Sequence, residues 1–142
     1  MSHPSCAALA RLYNIASYSL PIYLQTAAPW TPAGESEAIE TLAQLAGDQR
    51  RLSRRVFERL TSLECAPPQG DFPSRFTWLN DLSLQYLLRR LVEEQAGDIA
   101  KIERCAAQLT ADLPSRVLAE EALGAARGHL ERLQELSRTR GG

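Results

Sequence analysis

From Trp78 to Leu109 the chain reads WLNDLSLQYLLRRLVEEQAGDIAKIERCAAQL, with no proline in it. Leu84, Leu88, Leu91, Ile99, Ile102, Ala106 and Leu109 recur at spacings of three and four, which puts them on one helix face. At about 1.5 Å per residue such a helix runs for roughly 40 Å, long for a globular protein. An apolar stripe of that length has to be covered along its whole run, and comparably long helices do this best. One position on the stripe is polar: Gln95, between Leu91 and Ile99.

The rest of the chain supplies three further helical patterns. The first covers about residues 7–28, with Leu9, Leu12, Tyr13, Ala16, Leu20, Tyr23 and Leu24 on one stripe. Pro21 falls inside it and is expected to kink or divide the helix. Pro29, Pro32 and Gly34 mark a loop, and Thr31 before Pro32 suits an N-cap. The second helix spans about 32–64. Its seam is Ile39, Leu42, Ala46, Gln49, Ser53, Val56, Leu60 and Leu63. Arg50, Arg51, Arg54, Arg55 and Arg59 flank that seam; they can bind phosphate, or pair with acids of neighbouring helices.

Residues 65–77 (CAPPQGDFPSRFT) hold three prolines and a glycine and form the one long connection. Extended, it reaches roughly 40 Å, the length of a helix of about 25 residues. Phe72, Phe76 and Trp78 are expected to pin it down. The third helix covers about 78–110. After TADLPS the fourth covers about 115–138, with Leu118, Ala122, Ala125, His129, Leu133 and Leu136 as its stripe and Leu123, Ala126 and Leu130 widening it. Gly124 and Gly128, four apart, suggest a close helix crossing.

The 142 residues make one domain, all-α, with an expected helix content above roughly 65%. Short connections make the first and second helices, and the third and fourth, antiparallel hairpins; the long crossover makes the second and third parallel. A net charge of −1 gives no electrostatic reason for a nucleic-acid partner. No apolar run is long enough to span a bilayer, and no secretory signal pattern opens the chain. Cys6, Cys65 and Cys105 are odd in number and far apart, which is read as free thiols in a reducing cytoplasm. Residues 12–34 carry no charge, so the outer face of the first helix is expected to be covered, most simply by a second copy in a homodimer.

This four-helix order resembles the ferritin-like superfamily, the bacterioferritins, rubrerythrins and related di-iron carboxylate proteins. The likeness covers about residues 7–138. AEEALGAARGHLERLQEL looks like a fourth helix of the Glu-x-x-His kind, and AIETLAQLAGDQRRLSRRV like the matching second helix. The resemblance implies a Glu from each of the first and third helices, and Glu-x-x-His from the second and fourth. Here His129 stands at the His position with Ala126 in place of its Glu. Ala46 and Gln49 stand where the second pair belongs, and Gln95 stands on the third helix. The first acid in the chain is Glu35, so the first helix offers none.

No metal and no cofactor is therefore expected. Gln49, Gln95 and His129 are the candidate binding residues, polar side chains on apolar stripes. They can bond one another or a buried water, line a small-molecule pocket, or, through His129 with Glu94, Asp48 or Glu121, form an unusual metal site. Cys105 and Ser53 lack any activating base other than His129. Two readings remain: a non-catalytic bundle, its di-iron site lost, that works by self-association or partner binding, and a small-ligand, redox or metal-binding bundle using the polar cluster around His129.

Overall fold

The computed structural model describes residues 3–26, 36–79 and 83–141. Among them are five α-helices and no strand: α1 Cys6–Ser17, α2 Leu20–Thr26, α3 Ser36–Ser62, α4 Leu84–Gln108 and α5 Leu113–Gly141. A 3-10 turn, Ser74–Trp78, interrupts the connection between α3 and α4. The loop expected at Pro29, Pro32 and Gly34, with Thr31 as its cap, lies outside the described residues.

Pro21 divides the first predicted helix rather than kinking it. Its ring nitrogen has no proton to donate to Ser17, so the ladder cannot run through. The Tyr18 amide closes onto Asn14 O at 3.0 Å, and the Tyr23 amide opens the next helix on Ser19 O at 3.0 Å. The third predicted helix also starts later than its pattern suggested. Ser83 caps α4 by accepting from the Tyr86 amide at 3.3 Å. Phe76 and Leu79, upstream of the cap, are buried as part of the crossover instead. α5 runs two residues earlier than expected and continues to Gly141.

The carboxyl end of α3 is closed by a left-handed residue. Glu64 has φ 57°, and the Cys65 amide reaches back to Leu60 O at 2.9 Å. That bond from beyond the end to the last turn is a Schellman closure, normally built on glycine. It turns Cys65 towards the start of α1, where it forms a disulfide with Cys6. The free-thiol reading is thus wrong for two of the three cysteines; their separation of 59 residues in the chain hid the pairing. Cys105 is free and buried.

The core lies in two apolar clusters. One joins Leu9 and Leu12 of α1, Val56 and Leu60 of α3, Ile102 and Cys105 of α4 with Leu109 just past its end, and Ala119, Ala122 and Ala126 of α5. The other joins Leu20, Tyr23 and Leu24 of α2, Leu42 and Leu45 of α3, Phe76, Leu87, Leu88 and Leu91, and Leu133 and Leu136 of α5. α1 packs against α3 and α4, and α5 against α4 and α3. Ala126, not Ala125, is the buried member of its pair. The close crossing suggested by Gly124 and Gly128 is absent: a Cβ added at either would meet nothing within 4 Å.

The uncharged stretch has a cover within the chain. Phe72 of the crossover packs edge-on against Tyr18 at 5.4 Å and Tyr23 at 5.3 Å, and Phe76 lies 5.5 Å from Tyr23. Gly70 sits directly over Asn14 and Tyr18. Among the described residues no helix is long and apolar enough to cross a membrane.

Candidate functional site

Between the two apolar clusters lies a belt of buried polar side chains. Gln49 and Ser53 come from the middle of α3, Gln95 from α4, His129 from α5, and Ser19 from the break before α2. Each sits on a stripe otherwise made of Leu, Ile, Val and Ala, so each is carried inward by its helix.

Burial obliges these groups to find partners. Ser19 Oγ donates to Gln49 Oε1 at 2.6 Å, and Gln95 Nε2 donates to Ala126 O at 3.0 Å. The Ser17 and Ser53 hydroxyls are hydrogen-bonded to each other at 2.5 Å. His129 Nε2 lies 2.9 Å from Asp48 Oδ2, with the imidazole enclosed and the carboxylate partly in solvent. The three residues singled out from sequence, Gln49, Gln95 and His129, do border one cavity. Of the acids considered beside His129, only Asp48 meets it. Glu94 is held by Arg75 and Arg90, and Glu121 by Arg55.

The size of that cavity decides what it can hold. It measures about 30 Å³ and is walled by Leu12, Ile15, Leu52 and Ile102. Roughly 10–15 Å³ suffices for one water, whereas sites for organic ligands run to about 300–1,000 Å³. The cavity suits one or two waters. Among the described residues no three His, Cys, Asp or Glu side chains come together as a set able to hold a metal ion. Ala46 and Ala126 are buried and apolar.

Sequence reading missed Asp98. It also borders the cavity, yet no hydrogen bond or ion pair of its own is found among the described residues. Desolvation by burial pushes its carboxyl up to about 7, against the opposing pull of Lys101. The signal was present: Asp98 follows Gln95 by three residues and so shares its face, but the apolar Ile99 drew the stripe past it.

Two other carboxylates are tuned the opposite way. A hydrogen bond from Arg75, outweighing burial, holds Glu94 below its usual value. At the start of α5, burial raises Asp112, but bonds from Ser115, Ser5 and Arg59 together outweigh it and keep it low. Arg59 Nη2 reaches Asp112 at 2.8 Å, and Arg55 pairs with Glu121, so two members of the arginine cluster tie α3 to α5. Burial raises the Cys105 thiol, which makes it a poor nucleophile.

Compared with family models, with curated proteins and with solved structures, the chain matches none.

Proposed function

We propose that the chain is a non-catalytic four-helix bundle of ferritin-like topology, without a di-iron centre, that works by associating with a second copy of itself. In this reading α1 and α2, divided at Pro21, together take the place of the first of the four helices. The topology is supported by the two core clusters. The first holds the start of α1, the ends of α3 and α4 and the start of α5; the second holds α2, the starts of α3 and α4 and the end of α5. Such a distribution suits two antiparallel hairpins joined by a crossover, with α3 and α4 parallel.

The observation that carries the non-catalytic reading is the satisfied belt. Gln49, Gln95, Ser53 and His129 spend their hydrogen bonds within the chain, around a space for one or two waters. Such a belt fixes helix register and engages each of these four side chains within the chain.

The crossover already covers part of the helix-one face that first suggested a dimer. The surface that favours association is at the start of α5, where Leu113 and Val117 are exposed beside Arg55, Glu58 and Arg59 of α3. A patch with apolar centre and both charge signs can complement itself across a two-fold axis. Light scattering over a concentration series should give a dimer. Leu113→Glu with Val117→Glu should shift it towards monomer, whereas Tyr18→Glu should not. A monomer at every concentration would overturn the reading. Adding ferrous iron anaerobically and then oxygen should give no absorbance of an oxo-bridged ferric pair; two irons bound per chain would return the metal to the core. The cytoplasmic placement loses the support it took from free thiols, since a Cys6–Cys65 disulfide favours an oxidising surrounding.

A further inference from the structure

A second cavity, of about 180 Å³, lies on the other side of Asp98, between α1, the crossover and the middle of α4. It shares Ile15 and Asp98 with the inner cavity, so the Asp98 carboxyl stands at the wall between the two. By liquid volume the outer cavity corresponds to about six waters at ~30 Å³ each, room for a compound of a few heavy atoms.

The charged side chains around it are unequally partnered. From α4 come Glu94, Asp98 and Lys101, from the crossover Asp71 and Arg75; Asn14 of α1, and Tyr18 and Ser19 of the break after it, bring no carboxylate or basic group. Arg75 is committed to Glu94 through two bonds of 2.7 and 2.8 Å. Asp71 accepts from the Phe72 amide at 2.7 Å in the exposed loop. Lys101 is exposed, and no ion pair joins it to Asp98 among the described residues. Across the inner cavity His129 is taken by Asp48. Glu94 is thus answered by Arg75 and Arg90, and the half-buried acid with no hydrogen bond or ion pair among the described residues is Asp98.

We propose that this cavity binds a small primary ammonium compound, its –NH3+ group donating to the Asp98 carboxylate. An ammonium offers three donors to a group that only accepts, and a buried carboxylate is costly to keep ionised without a cation beside it. Lys101 at the rim is placed to meet a carboxylate if the ligand carries one, so the amine can come from a simple alkylamine or from a small α-amino acid. When the cavity is empty the same carboxyl takes up a proton instead. Ligand and proton then compete, and binding near pH 6 expels a proton.

This site is independent of any dimer, and its test uses the full chain. Ethylammonium and glycine are titrated calorimetrically at pH 6 in two buffers of different ionisation enthalpy, and again at pH 9. The expected result is saturable binding at both, with close to one proton released per ligand at pH 6 and none at pH 9. Stronger binding of glycine would identify the amino-acid source; stronger binding of ethylammonium, the alkylamine. Asp98→Asn, which keeps the shape and removes the charge, should weaken binding by about tenfold or more and abolish the proton release. Lys101→Met should weaken glycine alone. Ethanol binding as well as ethylammonium, undiminished binding to Asp98→Asn, or no binding by either amine would each overturn the proposal.

Discussion

Gly97, Gly124 and Gly128 sit inside helices with open space where a Cβ would go. Each costs the helix conformational entropy without returning a contact, so alanine at each should raise stability by about 1 kcal/mol, read from the urea midpoint. Glu64 is the reverse case: its φ of 57° is strained for any side chain, and Glu64→Gly should stabilise by about 1 kcal/mol. Gly70 cannot be exchanged so freely, because a Cβ there would lie 2.5 Å from Asn14 Oδ1 and 2.9 Å from Tyr18 Cε2. Asp98 sets a pH dependence. Its folded value, about 7, lies above the unfolded one, so between about pH 4 and 7 the folded chain holds the extra proton and stability falls as pH rises. Asp98→Asn should match the parent below pH 4 and exceed it by roughly 1–3 kcal/mol above pH 7. Equal gains at both ends would point to packing instead. Glu94, held low by Arg75, works in the other direction and withdraws its stabilisation as pH drops below about 4.

At the scale of elements, two devices hold the helices in place. The Cys6–Cys65 bond staples the start of α1 to the end of α3 across 59 residues. Closing a loop of that length removes about 4 kcal/mol of unfolded-chain entropy. Cys6→Ser with Cys65→Ser should therefore lower the melting temperature by roughly 10–15 °C, and a reductant should do the same to the parent. Thiol titration in denaturant should find a single free thiol, Cys105, until reductant is added; three at the outset would show that the staple does not form. The second device is the crossover, which wedges Phe76 into the core and lays Phe72 on Tyr18 and Tyr23. Phe76→Ala should cost about 3–5 kcal/mol, whereas half-buried Phe72 should cost less.

On the scale of the whole molecule, the polar belt separates two apolar clusters, and His129–Asp48 is its only pairing with a charged group among the described residues. Asp48 keeps contact with water, so removing the imidazole does not strand a buried charge. His129→Leu should accordingly keep the helical circular-dichroism signal and shift stability by no more than about 1 kcal/mol. A loss of cooperative unfolding in that variant would show that the belt sets the packing of both clusters.

The helices themselves were determined locally. The stripe from Leu88 through Leu91 and Gln95 to Ile102, and the seam from Leu42 to Leu60, are periodic in the sequence and buried as that period requires. So too are Gln49, Gln95 and His129, because a polar residue on a buried stripe is carried in with its neighbours. What depends on distant residues was decided by the tertiary structure. The Cys6–Cys65 bond needs the Glu64 turn to bring two ends together. The cover over Tyr18 and Tyr23 comes from a loop about 50 residues further along the chain. The isolation of Asp98 follows from Arg75 and Glu94 pairing with each other, which leaves a carboxyl with no hydrogen bond or ion pair among the described residues at the wall of two cavities. Periodicity records which way a side chain points; the partner it meets there is set by how the helices and the crossover come together.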